Sequence, residues 1–252
     1  MPTIGVINQK GGVGKTTTSV NLAAALAADR RVLLIDLDPQ ANATSGLAIF
    51  EPEATIYDVL LGNVPARQAV VQSRYENLWV LPASADLAGA ALELDASLSS
   101  FQLLSRALIG VRPVYDMIII DSPPSFGALT LNLLGASDQL IIPLQTEYFA
   151  LEGIVGMLDT ITRVESGLNP DISILGILLT MADARTRLSK QVEDNVRSHL
   201  GGLVFDTVIP RNVRLAEAPS HGKSIIDYDP GSAGAVTYRE LAREVISRVS
   251  QA

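Results

Sequence analysis

A glycine-rich stretch near the start of the chain, "NQKGGVGKTTTSVNLA" (8–23), carries the residue types that bind phosphate. Gly14, Lys15 and Thr16 match the second half of the phosphate-binding pattern G-x-x-x-x-G-K-[ST]. Gln9 stands in the place of the first glycine. Backbone N–H groups of such a loop point at phosphate oxygens, and the helix that follows adds the positive end of its dipole. The stretch is therefore predicted to bind the phosphates of a nucleotide.

Each residue of this loop has an expected role. Lys15 is expected to reach the β- and γ-phosphates, and the Thr16 hydroxyl to be a ligand of Mg²⁺. Thr17 offers a second hydroxyl, for the α-phosphate. The backbone that wraps the phosphates belongs to Gly11, Gly12, Val13 and Gly14.

Three aspartates follow apolar runs that read as buried strands. Asp36 and Asp38 lie in "LLIDLDPQ", and Asp121 ends "IIID" of "IIIDSPP". Carboxyl ends of parallel strands face the crevice in which open α/β sheets bind ligands. A single aspartate in this position often only caps the next helix. Three of them beside a phosphate loop favour a Mg²⁺ site, with Asp121 as the Walker B carboxylate that holds the metal directly or through water.

Strands and helices alternate along the chain. Continuous apolar runs are typical of strands buried on both faces of a parallel sheet. These runs predict strands at 3–8, 31–38, 78–83, 115–121, 139–145, 172–180 and 204–210. Helix-compatible stretches lie at 16–28, 86–96, 101–110, 150–166 and 187–199. The alternation predicts an α/β fold of the P-loop NTPase type, a mostly parallel twisted sheet with helices on both faces, as one domain over 1–252.

Composition limits the class of protein further. The chain has 252 residues, of which 48% are hydrophobic, and a formal net charge of −8. It contains no cysteine, which excludes disulfides and thiolate-held metal sites. We expect a cytoplasmic protein, because neither a signal peptide nor an apolar run of about 20 residues is visible. The acidic balance argues against general coating of nucleic acid but permits a local basic patch.

Four motifs together resemble the ParA/Soj chromosome-partitioning ATPases, within the deviant Walker A group that includes MinD. They are "KGGVGKTT", "DLDPQANATSGL", "IIIDSPPS" and "VIPRNVRLAEAPSHGK". The resemblance extends over about residues 3–250. It implies an ATPase with ATP and Mg²⁺ as cofactors, and an ATP-dependent homodimer in which two subunits sandwich the nucleotides.

The resemblance also assigns roles to individual residues. Lys10 matches the signature lysine that crosses into the partner subunit and contacts the phosphates there. Asp38 is implied to orient the attacking water, and Asp36 to support Mg²⁺. Pro210 and Asn212 are implied to pack on adenine, and "DSPPS" to form a switch that senses the γ-phosphate.

Double-stranded DNA is the further partner that the resemblance implies, through Arg185 and Arg214. Between Arg185 and Lys223 the chain has seven basic and four acidic residues, a local charge of +3. Binding without sequence preference would place the protein on the nucleoid. A ParB/Spo0J-type DNA-binding protein is implied to stimulate hydrolysis and so to segregate a chromosome or plasmid.

Two alternatives remain open at this point. A MinD-like ATPase that positions the division site would end in a membrane-seeking helix. The amphipathic stretch 235–252 could provide one, but it has neither Trp nor Phe, and two glutamates dilute its basic residues. We therefore expect it to pack on the sheet, with no membrane partner. The second alternative is a small-molecule synthetase or phosphotransferase with the same fold.

Overall fold

The structure, a computed structural model, describes residues 1–94, 100–147 and 150–251. Within these residues seven strands form one sheet in the order β3-β4-β2-β5-β1-β6-β7. Neighbouring strands run parallel, except that the edge strand β3 is antiparallel to β4. The strands are β1 Thr3–Val6, β2 Val32–Asp36, β3 Val71–Gln72, β4 Leu78–Leu81, β5 Met117–Asp121, β6 Gln139–Gln145 and β7 Ser173–Thr180. The predicted mostly parallel sheet is confirmed.

Helices lie between these strands and after the last of them. The α-helices are α1 Lys15–Leu26, α2 Asn42–Ser45, α3 Ile56–Leu60, α4 Ala66–Ala69, α5 Leu87–Glu93, α6 Leu103–Ala107, α7 Ala128–Ala136, α8 Ala150–Glu165, α9 Arg187–Leu200, α10 Val213–Glu217, α11 Ile225–Tyr228 and α12 Ala233–Val249. Short 3₁₀ segments lie at Ser100–Gln102, Arg112–Val114, Gly201–Leu203 and Ala218–His221. Of the predicted helix 86–96, residues 95 and 96 lie outside the described residues.

The two faces of the sheet bury separate apolar clusters, because successive side chains of a strand point to opposite faces. In β2, Leu33 and Ile35 belong to the cluster under α3, α6, α7 and α8. Their neighbours Val32 and Leu34 belong to the cluster under α1 and α12. All four side chains are fully buried. Helices therefore cover both faces, as the continuous apolar runs predicted.

One predicted strand is wrong. Residues 204–210 run beside β7 but form only isolated bridges, Val204 with Ile177 and Pro210 with Ala182. The backbone N–H groups of Asp206 and Thr207 donate instead to the carboxylate of Glu244 on α12, at 2.8 and 2.9 Å. These two amides are therefore unavailable to a ladder. The sequence analysis also missed the two-residue edge strand β3.

The terminal helix α12 packs against the sheet and α1. Its apolar stripe is buried, with exposures of 1% for Tyr238 and 0% for Leu241 and Val245. This confirms the predicted packing and leaves the stripe unavailable to a membrane surface. Among the described residues, the helices are all too short or too polar to span a bilayer.

Strand register brings the predicted acidic residues together. Asp36 ends β2 and Asp121 ends β5, and the two are directly paired across these neighbouring strands. Asp121 is also paired with Val6, the last residue of β1, from which the glycine-rich loop leads into α1. The carboxyl edge of the sheet therefore carries the loop and the carboxylates side by side.

Candidate nucleotide-binding site

The loop between β1 and α1 has the backbone of a phosphate cradle. Gly12 and Gly14 have φ angles of 75° and 90°, a region that L side chains rarely adopt. A Cβ atom placed on Gly11 or Gly12 would meet no atom within 4 Å, so the loop faces open space. This space is a hollow of about 430 Å³ lined by Gly11, Gly12, Gly14, Lys15, Thr16, Thr17, Asp38, Gln40, Asn42, Pro124 and Met181. Its size and the bare backbone suit a chain of phosphates.

Two polar residues that the sequence analysis missed hold the loop in place. Asn8 accepts a hydrogen bond from the Lys10 N–H at 2.9 Å and donates its amide to the Pro143 carbonyl at 2.7 Å. On the other side, the Thr180 hydroxyl at the end of β7 donates to the Val13 carbonyl at 2.8 Å. The loop is thus anchored to β6 and β7, which fixes the direction of its N–H groups before any ligand binds.

Lys15 lies inside this cradle. It is 7% exposed, and its Nζ donates to the Lys10 carbonyl at 3.1 Å. Burial lowers the pKa of its ammonium group, although the nearby carboxylates of Asp121 and Asp38 act in the opposite direction. The Lys10 carbonyl therefore holds the ammonium at the loop, and phosphate oxygens of a bound nucleotide can replace this carbonyl as the hydrogen-bond acceptor.

Asp121 is a buried carboxylate with one oxygen free. Its Oδ1 accepts a hydrogen bond from the Ser19 hydroxyl at 2.8 Å, whereas the buried Oδ2 has no hydrogen-bond partner among the described residues. Burial, reinforced by the neighbouring Asp36, raises the pKa of Asp121. A buried anion of this kind is stabilised by a cation. Thr16 lines the hollow, and Asp121 lies buried behind it. The free Asp121 oxygen and the Thr16 hydroxyl therefore fit Mg²⁺, held directly or through water.

Both carboxylate oxygens of Asp36 accept hydrogen bonds from the protein itself. Its Oδ2 accepts hydrogen bonds from the N–H and the hydroxyl of Thr44, at 2.9 and 2.7 Å. Its Oδ1 accepts one from the Asp38 N–H at 3.1 Å. Burial raises the pKa of Asp36, although these hydrogen bonds oppose the shift. These contacts fix the turn that carries Asp38.

Asp38 lines the phosphate hollow and is 6% exposed. Its Oδ1 accepts a hydrogen bond from the Gln40 N–H at 3.0 Å, which orients the carboxylate. Among the residues that line the hollow, Asp38 is the one with an acidic side chain. A water held here would lie beside the bound phosphates.

A second cavity adjoins the hollow. Its volume is about 330 Å³, and its walls are mostly apolar. Pro210 and Asn212, the two predicted adenine contacts, both line it together with Ile209, Leu215 and Tyr238. Gly14, Thr17 and Met181 line both cavities and so join them. A flat base could enter the apolar cavity while its phosphates lie in the hollow.

The side chain of Lys10 points away from the phosphate hollow, and Lys10 is not among the residues that line it. Its Nζ donates to Glu147 Oε2 at 3.0 Å, and the side chains of the two residues are 56% and 50% exposed. The other oxygen of Glu147 accepts from Gln145 at 2.6 Å. The lysine therefore points to the surface, where a second subunit can be reached.

The two predicted DNA contacts are exposed but already paired. Arg185 donates twice to the carboxylate of Asp183, at 2.9 and 2.8 Å, and these bonds lower the pKa of Asp183 to about 2. Arg214 lies 2.8 Å from Glu217 and 3.6 Å from Asp229. Because Asp183 and Asp229 lie outside the stretch that was counted, the local charge of +3 overstates the free positive charge.

For some of the site residues that the sequence analysis missed, the sequence nevertheless contains a signal. Ser19 lies four residues after Lys15, so helical spacing places both on one face of α1. Thr44 is only eight positions from Asp36, whereas Thr180 is 167 positions from Val13, and nothing in the local sequence of Thr180 indicates its contact.

The loop after the first strand, the lysine and threonine that begin α1, and the carboxylate at the end of β5 define the chain as a P-loop NTPase. Comparisons with known proteins specify the class further. A protein-family model described as an AAA domain matches residues 1–174. The sporulation initiation inhibitor protein Soj of Bacillus subtilis is 54% identical over 245 residues, 96% of this chain and 97% of that protein.

Two further relatives extend the comparison. The chromosome-partitioning ATPase Soj of Treponema pallidum is 48% identical over 250 residues, 99% of this chain and 98% of that protein. A structure of cobyrinic acid a,c-diamide synthase from Mycobacterium smegmatis with bound ADP and magnesium is 38% identical, with a TM-score of 0.85 over 99% of this chain and 96% of that chain. The chain belongs to the Soj/ParA family of chromosome-partitioning ATPases.

Proposed function

We propose that the chain is an ATP-dependent partition switch. It binds ATP with Mg²⁺, dimerises around the nucleotides, binds DNA as a dimer, and hydrolyses ATP when a ParB-type partner stimulates it. The observation that carries the proposal is the hollow that combines Lys15, Thr16 and Asp38, with Asp121 behind it. The ADP and magnesium in the related synthase structure support the same ligands here.

The residues divide the work as follows in this proposal. Lys15 and the loop N–H groups bind and orient the phosphates, and Mg²⁺, when bound at Thr16 and Asp121, adds charge neutralisation. Asp38 positions the attacking water, since its carboxylate is oriented by Gln40 and faces the same hollow. Asp36 supports the site from behind by holding the turn at Asp38. Pro210 and Asn212 contact the base.

Lys10 is proposed to act across the dimer interface. In this structure it is an exposed ammonium next to Glu147, outside its own hollow. A second cation placed on the phosphates by the partner subunit would neutralise charge as an arginine finger does. Nucleotide binding and dimerisation are then coupled, because each hollow lacks this cation until the second subunit arrives.

For Lys10→Ala we expect nucleotide binding by the monomer to persist while the ATP-dependent dimer is lost. Each dimer loses two charge-assisted contacts of roughly 1.5–3 kcal/mol each, so the dimer dissociation constant should rise by at least about a hundredfold. Sedimentation with ADP, ATP and a non-hydrolysable analogue measures this. Lys190→Ala, which removes an exposed lysine elsewhere, is the control. Normal ATP-dependent dimers of Lys10→Ala would show that the lysine has no role in trans.

DNA binding is proposed to depend on the dimer. Phosphate contacts by Arg185 and Arg214 carry no base information, so binding should be indifferent to sequence and sensitive to salt. A dimer presents two copies of the surface, and the second copy binds at a high effective concentration. Nucleoid association follows from this proposal.

For Arg185→Glu and Arg214→Glu we expect weaker DNA binding with unchanged ATP-dependent dimerisation. Each phosphate contact that is lost should flatten the log–log salt slope by roughly 0.9, or about twice that per dimer. Asp183 forms an ion pair with Arg185 that competes with DNA phosphates for the guanidinium. Asp183→Asn removes the negative charge and should therefore strengthen DNA binding. Co-sedimentation with random duplexes at two salt concentrations measures both effects, and Arg243→Glu controls for net charge. Undiminished binding by the double arginine variant, or equal binding by the ADP form, would refute this mechanism.

A small-molecule synthetase is the second candidate, supported by the name of the Mycobacterium smegmatis structure. The higher identity to the two Soj proteins favours the partition switch. A steady-state assay separates the two functions. A partition switch hydrolyses ATP slowly and responds to DNA and a partner protein, whereas a synthetase responds to a metabolite.

A further inference from the structure

A groove of about 580 Å³ lies between α3, α4 and α6, away from the residues that line the nucleotide site. Its floor is apolar, and Val59 and Val111 on it are only 6% and 3% exposed. Arg67 of α4 and Arg106 of α6 stand exposed on its walls. Ile109, next to the groove in the chain, is 71% exposed. The groove therefore combines an apolar floor with two cationic walls.

The charge of this groove is unbalanced. Among the described residues, no acidic side chain lines it, and no carboxylate pairs with Arg67 or Arg106. Within the described part of the chain, the guanidinium of Arg106 has one hydrogen bond, to the amide oxygen of Gln102 at 3.3 Å. A guanidinium group without a counter-ion is suited to bind a carboxylate, because the two groups can form two parallel hydrogen bonds.

Another surface hollow of the chain shows the contrast. This larger hollow, of about 900 Å³, is lined by both signs of charge: Glu51, Glu53 and Arg74. Arg74 is itself 4.0 Å from the carboxylate of Asp227. The chain as a whole has a net charge of −8, but the charged side chains that line this groove are both cationic. Such a groove selects a negatively charged ligand.

We propose that the groove between α3, α4 and α6 docks an acidic segment of a partner protein. Apolar side chains of that segment pack on Val64, Pro65 and Ala107, which are at least partly exposed above the buried floor, and its carboxylates pair with Arg67 and Arg106. The apolar floor favours a peptide over a nucleic acid, whose backbone offers phosphates but no apolar side chains. Val111 of the groove precedes the start of β5, whereas Asp121 of the nucleotide site ends that strand, so the two sites lie near opposite ends of β5. We therefore expect a docked segment to leave the nucleotide site open, whichever nucleotide is bound.

The test uses a fluorescein-labelled amphipathic peptide of about four helical turns, with Leu on one face and Glu on the other. A matched peptide has Gln in place of Glu. We expect the Glu peptide to bind the full chain equally with ADP and ATP, and the Gln peptide to bind at least about tenfold more weakly. Arg67→Glu and Arg106→Glu should each weaken binding of the Glu peptide by about tenfold or more. Arg243→Glu, the same charge change on α12, should leave it unchanged.

Several results would overturn the proposal. They are failure of the Glu peptide to bind, equal binding of the two peptides, unchanged binding by either groove variant, and an equal loss with Arg243→Glu. A random DNA duplex tests the other ligand class. If it binds through Arg67 and Arg106 and displaces the Glu peptide, the groove is a nucleic-acid surface instead.

Discussion

Asp38→Ala is expected to bind ATP and dimerise but to lose hydrolysis, so that the dimer accumulates. Asp38 lines the phosphate hollow together with the loop glycines, and a group that positions or activates a water contributes about 10²–10⁴-fold to the rate. Binding should persist, because the change removes a negative charge close to where the negative phosphates bind. Phosphate release at saturating ATP and sedimentation of the ATP form measure the two effects.

Asp38→Asn separates chemistry from structure. The Asp38 carboxylate also accepts the Gln40 N–H at 3.0 Å, and an amide oxygen can keep that bond. We therefore expect the Asn variant to keep the turn and still lose hydrolysis. Near-normal turnover in Asp38→Asn would mean that the residue acts only by holding the turn. Near-normal turnover in Asp38→Ala would mean that another residue positions the attacking water.

Lys15→Ala is expected to abolish productive ATP binding. The ammonium lies in the hollow at 7% exposure, and among the residues that the structure describes its hydrogen-bond acceptor is the Lys10 carbonyl, so no described side chain has to release it. Several charge-assisted contacts to phosphate oxygens at roughly 1.5–3 kcal/mol each are lost. The dissociation constant should rise by at least about a hundredfold, as measured by titration with a fluorescent ATP analogue.

Folding must be monitored separately for Lys15→Ala, because the lysine lies near the carboxylates of Asp121 and Asp38. Thermal unfolding without nucleotide shows whether the variant is folded at the assay temperature. Lys190→Ala is the matched control on the surface and should bind as the unaltered chain does. A folded Lys15→Ala protein with unaltered ATP affinity would contradict the assignment of the loop.

Much of the arrangement of the candidate nucleotide site was predictable because its parts are local in sequence, whereas the roles of its residues stay predictions. The loop and the start of α1 lie within residues 8–23, and their glycines, lysine and threonines have meaning at that spacing alone. Asp36 and Asp121 were predictable because parallel strands end at the same edge of a sheet. The register of β2 and β5, which pairs them directly, follows that rule. The organisation of 1–252 as one domain stays a prediction.

Only the tertiary structure could decide which charges are free. Local sequence counts Arg185 and Arg214 as a basic patch, but the structure pairs Arg185 with Asp183, two positions away, and brings Asp229 to Arg214. The same holds for Lys10, whose partner Glu147 is 137 positions away in the chain. Residues 204–210 have the composition of a strand, yet Glu244 of α12 takes the amides that a ladder would need. Residue types and spacing thus determined the chemistry expected of the loop, whereas the folded structure decided which charges are paired, because Coulombic and hydrogen-bond energies depend on distance in space.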